Sequence, residues 1–389
     1  MSGTQRKRQT RIAFVARPDL LANPGGDTTQ ILATRVELQR MGIDVRLLLA
    51  DRSCAALHRE FIAECDLVHC FNMLLAYQFE WMIDLATSHG RPVALSPIFW
   101  DMEAYERGGH SIAWWKKTTL AVLSSGLGRP AQAMLSQRLK SVTYNPYFRA
   151  RVRAILAKCQ VLLPNSSAEE RLLHERFGER LPCRVVHNGC RALEISPSHP
   201  AGAPERYVLC VGRIERRKNQ LALVRAVAGL DLPLVFLGSV NHAEEGYWRQ
   251  CRHAAARLGV RVVHVDGLPW EEVWPYYVHA DAHAQPSWFE TPGLSSLEAA
   301  AAGCPIVCTD QGSAGEYFGE YAEYCSPCND ASIRDAIRRA LTAPSRRDER
   351  SAFVRAHYTW TIAAQQTLDA YRALGVAVPS KEITTDALA

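Results

Sequence analysis

No stretch of this 389-residue chain reaches the ~18 consecutive apolar residues that a membrane-spanning helix needs. No transmembrane segment is therefore expected. The first ten residues are basic but run directly into the short strand-like Ile12-Ala13-Phe14-Val15. They lack the apolar core and small-residue cleavage site of a secretory signal, and the expected location is the cytoplasm. No second cysteine pair stands at zinc spacing from Cys325-Ser326-Pro327-Cys328. The twelve cysteines are irregularly spaced, most of them in apolar runs such as Val208-Leu209-Cys210-Val211 and Ile306-Val307-Cys308, where a thiol acts as a small buried hydrophobe. The C-x-x-C pair reads as structural, with metal or redox use as the alternative. There is no repeat at a fixed period, no Asp-x-Asp pair and no nucleic-acid recognition motif.

Acids are also absent from one long window. Between Arg107 and Lys158 ten basic residues stand with no Asp or Glu, although the whole chain carries a net charge of only +5. Residues 201–355 hold 17 Lys/Arg against 19 Asp/Glu, so the positive field belongs to the first half. Trp114-Trp115-Lys116-Lys117 lies in that window. Adjacent indoles and ammonium groups suit an anionic membrane surface or an anionic, lipid-linked ligand; the alternative is a solvated basic face with buried tryptophans.

What is present is α/β in pattern. The length favours two domains. Ile12–Ala16, a loop through Gly25-Gly26, a helix from about Thr28 to Met41 capped by Asp27 or Thr28, and a strand at Val45–Leu49 make a parallel βαβ unit. That helix is expected to turn Ile31, Leu32, Val36 and Leu38 inward. Strands at Asp66–Cys70, Val93–Ser96 and Val161–Ser166 continue the first domain, with Ser166 or Ser167 opening a helix. His69 reads as a core histidine. A Pro-, Ala- and Ser-rich linker spans Ser196–Pro204. The expected organisation is a first domain over 1–195, a second over 205–355, a crossing helix over 356–376 with Ile362, Leu368 and Tyr371 on its apolar side, and a disordered tail over 377–389.

Two stretches carry chemistry. In Glu290-Thr291-Pro292-Gly293-Leu294-Ser295-Ser296-Leu297-Glu298, a turn runs into an Ala-rich helix. Its N-terminus, with free N–H groups and partial positive charge, suits a phosphate. The flanking carboxylates of Glu290 and Glu298 suit the hydroxyls of a sugar and a ribose. The alternative is an ordinary buried helix with two incidental acids. In Gly212-Arg213-Ile214-Glu215-Arg216-Arg217-Lys218-Asn219, which follows a strand, Arg213 and Lys218 can clamp a diphosphate; an exposed basic loop is the alternative.

The first stretch, with the Ala-Ala-Gly-Cys-Pro-Ile-Val strand after it, resembles the E-x7-E motif of retaining glycosyltransferases of the GT-B fold, most closely glycosyltransferase family 4. The second resembles that family's G-R-x-x-x-x-K-N segment, and Val185-Val186-His187-Asn188-Gly189 resembles its run into the linker. The resemblance implies two Rossmann-like domains facing across a cleft, with the C-terminal helix crossing back to the first domain. It implies a retaining hexosyltransferase using a UDP- or GDP-linked sugar. Carried over, Glu298 holds the ribose, Glu290 the donor sugar, and Gly293-Leu294 the diphosphate together with Arg213 and Lys218. Arg216 and Arg217 fall outside the site. Leu268 meets the base, and Gly25 and Gly26 face the donor from the first domain.

Where the family carries a histidine on the donor sugar, this sequence has Ile98 or Phe99. Trp100, Asp101 and Asp27 are the candidates on the acceptor side. No metal and no cofactor are expected, because the diphosphate already has cations. The acceptor expected is a saccharide, lipid-linked, in cell-surface polysaccharide assembly at the inner membrane face, with the anionic membrane met through residues 107–158. A nucleotide-sugar epimerase and a non-catalytic sugar-nucleotide scaffold are the other classes the sequence admits.

Overall fold

The computed structural model describes residues 8–100, 105, 146–178, 180–193 and 197–379. Asp101, Trp114-Trp115-Lys116-Lys117, the rest of the basic window up to residue 145, the start of the linker and the tail from residue 380 lie outside the described residues.

The chain builds two parallel sheets. The first contains β1 (Arg11–Ala16), β2 (Asp44–Leu49), β3 (Leu67–Phe71), β4 (Val93–Ser96) and β5 (Val161–Leu162), in the order β2-β1-β3-β4-β5. The second contains β6 (Val208–Val211), β7 (Leu234–Leu237), β8 (Val262–Val265), β9 (Ala282–Gln285), β10 (Ile306–Thr309) and β11 (Ala322–Cys325), in the order β11-β10-β9-β6-β7-β8. Parallel strands covered on both faces read as continuous apolar runs, and Leu67–Phe71 and Leu234–Leu237 are buried along their whole length.

The described helices of the first unit are α1 (Gly26–Arg40), α2 (Ala55–Glu64), α3 (Glu80–Ser88), α4 (Pro146–Leu156) and α5 (Ser167–Phe177). The second carries α6 (Gln220–Val227), α7 (Glu245–Leu258), α8 (Trp270–His279), α9 (Leu294–Ala301), α10 (Ala314–Phe318), α11 (Asp330–Thr342) and α12 (Arg347–His357). The last helix, α13 (Trp360–Ala373), crosses back as expected, and Trp360, Ala364, Leu368 and Tyr371 share one core cluster with Ile12, Phe14 and Leu38. The chain therefore passes between the units at two adjacent places. There the N–H of Cys190 donates to Tyr358 O at 3.0 Å, and a Cβ on Gly189 would lie 2.2 Å from the Thr359 carbonyl carbon.

Strand order reverses between β1 and β3, and again between β6 and β9. Ligands of open α/β sheets bind at the carboxyl ends of strands beside such switch points. Those ends carry the Arg17–Gly26 loop on one sheet, and Gly212-Arg213 and the Glu290 turn on the other.

Some local expectations are corrected. α1 begins at Gly26 with Gly25 as its cap position, not Asp27 or Thr28. Thr28 Oγ1 accepts the Gly25 N–H at 3.0 Å, while the Asp27 carboxylate turns to Arg17 Nε at 2.9 Å. The inward face of α1 is also more polar than its aliphatic residues suggest. Gln30 and Thr34 are buried with Ile31 and Leu38, whereas Val36 is exposed. On α13, Ile362 lies at the edge and Ala363 and Ala364 take the buried face.

Ser166 proves to be the cap of α5, accepting the Glu169 N–H. His69 is a satisfied core residue, with Tyr371 Oη 2.6 Å from Nδ1 and Ser96 Oγ 2.9 Å from Nε2; burial pushes its pKa down to about 3. All twelve cysteines are free. In the C-x-x-C turn the Cys325 thiol donates to Cys308 O, and Pro327 O accepts from Asn219 Nδ2 at 2.9 Å.

Candidate active site

β6 delivers Gly212-Arg213, and a short 3-10 turn, Arg216–Lys218, then swings Lys218 back toward the strand ends. Asn219, in the left-handed region at φ +62°, closes that turn with its amide donating to Pro286 O at 3.0 Å. Lys218 Nζ donates to Glu290 Oε1 at 2.7 Å. Gln285, at the end of β9, completes the arrangement. In the orientation that satisfies every neighbour, its Oε1 accepts from Lys218 Nζ at 2.9 Å, and its Nε2 donates to Val211 O at 3.0 Å and Ser295 Oγ at 2.7 Å. Gln285 thus ties the lysine to the first turn of α9.

Arg217 differs from the sequence expectation. Its Nη1 stands 3.8 Å from Glu290 Oε1 and its Nη2 3.0 Å from Glu215 Oε1, so it adjoins the site rather than lying outside it. Arg216 does lie outside, paired with Glu244 and stacked on Tyr247. Arg213 is the most open of these cations, 3.7 Å from Glu215. Burial pushes the Glu290 carboxyl up, but Lys218 and Arg217 outweigh it and hold its pKa below the ordinary value. Glu215 behaves likewise, with Arg217, Arg213 and Lys218 overriding its burial.

Past Glu290 the chain turns through Thr291 and Pro292 to Gly293, whose φ of +72° and ψ of +65° fit a residue without Cβ. No side chain caps α9, so the N–H groups of Leu294 and Ser295 have no acceptor within the helix. At the other end Arg347, Arg350 and Ser351 donate to the carbonyls of Ala302, Gly303 and Ala301. Glu298 has partners different from those of Glu290. Its Oε1 accepts from Trp270 Nε1 at 2.8 Å and its Oε2 from Tyr277 Oη at 3.0 Å. Burial raises the Glu298 carboxyl to about 7 against the pull of those donors. Leu268, Trp270 and Leu294 pack on one apolar cluster.

The first unit closes over this cluster. A Cβ on Gly25 would lie 3.7 Å from Arg213 Nη2, and one on Gly26 would lie 3.8 Å from Leu294 Cδ1. Asp27 is close by, but its carboxylate is taken by Arg17, which also reaches Asp19 and Asn23 O. In the loop after β4 the two residues at the position of the family's histidine differ in burial. Phe99 is buried in the core against Phe177, and Ile98 is partly exposed at φ +49°, an unusual conformation for a β-branched residue. Glu169 Oε1 accepts the Phe99 N–H at 2.6 Å and fixes that loop. Trp100 is partly buried at the end of the described segment.

The structure thus brings together Gly25, Gly26, Arg213, Lys218, Glu290, Thr291, Pro292, Gly293 and Leu294, with Leu268 packed on the same apolar cluster as Leu294 and Glu298 one turn further along α9. Arg217, Gln285, Trp270 and Tyr277 were not singled out by the sequence. Among the described residues one trio has metal-type donor atoms within 4.8 Å of one another, Glu170, His174 and Cys183, and it lies on the first unit apart from these groups.

Residues 193–359 match the family model of glycosyl transferases, group 1. The match spans 167 of the 389 residues of the chain. The chain is also similar to individual relatives. It is 26% identical over 348 residues to the glycogen synthase of Mycobacterium tuberculosis (strain CDC 1551 / Oshkosh), covering 86% of this chain and 73% of that protein. It is 28% identical over 180 residues to the N-acetylgalactosamine-N,N'-diacetylbacillosaminyl-diphospho-undecaprenol 4-alpha-N-acetylgalactosaminyltransferase of Campylobacter jejuni subsp. jejuni serotype O:2. That alignment spans 43% of this chain and 47% of the relative. The fold also superposes on Anabaena Alr3699/HepE, solved with UDP-glucose, at a TM-score of 0.70 and 14% identity, over 94% of this chain and 100% of the other.

Proposed function

We propose that the chain is a glycosyltransferase that moves a sugar, with retention, from a nucleotide-diphosphate donor to a saccharide acceptor. The observation that carries this reading is the meeting of three phosphate-binding devices in one cleft. The Arg213 guanidinium, the Lys218 ammonium and the uncapped N-terminus of α9 converge below the Gly25-Gly26 loop. Glu290 is assigned to the donor sugar and Glu298 to the ribose. The acceptor oxygen bonds to the anomeric carbon as the bond from that carbon to the phosphate oxygen breaks. The departing phosphate takes the acceptor's proton. The cations and the helix N-terminus stabilise the charge that builds on the diphosphate, and no side chain is required as nucleophile.

The first test is calorimetric titration with UDP and GDP at pH 6 and pH 8, with Glu298→Ala beside the wild type. One nucleotide should bind, and the variant should lose that binding. Hydroxyls of a ribose donate best to an ionised carboxylate, and Glu298 ionises at about 7. Affinity should therefore rise about tenfold from pH 6 to pH 8 in the wild type only. Neither nucleotide binding would overturn the donor site. Binding without transfer to any acceptor or to water would favour the scaffold reading.

We further propose a lipid-linked acceptor in cell-surface polysaccharide assembly. The Campylobacter relative is named for a diphospho-undecaprenol acceptor, and residues 107–158 are acid-free and basic. Anionic vesicles at low salt should retain the protein, and Trp114→Ala should weaken retention. Equal recovery with neutral and anionic vesicles would refute it.

A further inference from the structure

The residues that lead into α10 pack against the Glu290 turn. Glu290 O accepts the Ser313 N–H at 2.9 Å, and Glu290 and Gly312 form a parallel bridge. Three residues further on, Glu316 leaves its own unit. Its Oε1 accepts the Ser167 N–H at 2.9 Å and lies 2.8 Å from His187 Nε2, and its Oε2 accepts the Ala168 N–H at 3.2 Å. Ser167 and Ala168 open α5 of the first unit. Ser166 caps that helix by accepting the Glu169 N–H, so α5 carries two caps, one its own and one supplied across the interface.

Tyr317, fully buried beside it, donates to Asn165 O at 2.5 Å and accepts the Asn188 N–H at 2.9 Å. Asn165 and Asn188 both share amide hydrogen bonds with Gln30, which stands one turn beyond Gly26 on α1. A continuous path therefore runs from Glu290 through Gly312 and Ser313 to Glu316 and Tyr317. It crosses to Asn165, Asn188 and Gln30 and returns along α1 to the glycines that face Arg213.

We infer that Glu316 and Tyr317 are positioning residues, a latch that holds the two units closed in the register the cleft needs. Every bond named from these two side chains ends on the first unit, so all of them break when the cleft opens. Neither side chain is among the groups assigned to the donor. Glu316 is ionised at every working pH: burial raises it, but His187 and the two backbone donors bring it down to about 2. The closure itself is independent of the transferase reading; only its effect on nucleotide affinity rests on that reading.

Small-angle scattering of the full chain without ligand tests the latch. Glu316→Ala should have a larger radius of gyration than the wild type at an unchanged far-UV spectrum. Tyr317→Phe, which loses only a hydroxyl, should be intermediate, and it decides the matter alone if Glu316→Ala does not fold. Whichever nucleotide the wild type binds should bind Glu316→Ala about tenfold more weakly, because only the closed fraction is competent. Unchanged scattering by the folded variants overturns the latch, whatever the nucleotide does. If no protein binds UDP or GDP while scattering responds as expected, the latch stands and the donor reading falls.

Discussion

Replacing Lys218 with alanine should lower the transfer rate by ~10²–10³-fold, the usual loss for one preorganised donor at a developing negative charge. The ammonium is fixed between Glu290 Oε1 at 2.7 Å and Gln285 Oε1 at 2.9 Å, and only 13% of the side chain is exposed. So held, it would meet a departing diphosphate without reorganising. The substitution also strips a buried carboxylate of its nearest cation. Breaking such a pair costs ~3–5 kcal/mol when nothing replaces the partner. Arg217, 3.8 Å from the same oxygen, remains, so the loss should fall below that range.

Glu290→Gln in the Lys218→Ala background removes the stranded charge and should restore stability while leaving transfer low. The pair holds Glu290 below its ordinary pKa of 4.5, so its stabilisation is complete above that pH and fades as pH falls through the lowered value. Single-turnover rates and denaturant midpoints for the two single variants and the double variant separate the effects. A Lys218→Ala enzyme that transfers at the wild-type rate would remove Lys218 from the leaving-group site.

Gly312→Ala should be the most damaging methyl in the second unit. Gly312 sits at φ +100°, and a Cβ there would lie 2.0 Å from Glu290 O and 2.8 Å from Glu290 N. Both contacts are backbone, so no rotamer relieves them. The left-handed strain adds to the clash, and a cost of ~4 kcal/mol is expected. Any protein that still folds must move Glu290, so activity should fall further than stability. Gly315→Ala, three residues on in α10, is the control. Nothing lies within 4 Å of a Cβ there, and alanine favours a helix by ~1 kcal/mol. Unfolding curves for the pair give the comparison, and equal midpoints would refute the clash.

Much of the fold was legible because buried parallel strands announce themselves. Val208–Val211, Leu234–Leu237 and Ile306–Thr309 are short apolar runs, and glycines and cations mark their carboxyl ends. The residues proposed for the donor stood out as motifs, since Glu290, Gly293 and Glu298 are close in sequence. Their partners were not. Gln285 approaches Lys218 from another strand, and Trp270 and Tyr277 reach Glu298 from α8, a helix interrupted by Pro275. The inward face of α1 was misread because Gln30 and Thr34 do there what aliphatic residues do elsewhere. A buried amide is tolerable only with partners, and those of Gln30 stand 135 and 158 residues away. Arg217 was set aside as one of a run of exposed cations; the 3-10 turn at Arg216–Lys218 sends its neighbour Arg216 outward and turns Arg217 in.

The crossing of α13 bears on how the chain is made. The first sheet is synthesised first, yet one of its two core clusters is completed by Trp360, Ala363, Ala364, Leu368, Ala370 and Tyr371. Those side chains leave the ribosome only after the whole second sheet has emerged. The second unit, whose clusters draw on no residue beyond Tyr358, has all its parts in hand earlier. The usual order in which domains mature from the N-terminus is therefore inverted. The first domain to be translated is the last to be finished, and until then the cluster around Ile12 and Phe14 is incomplete.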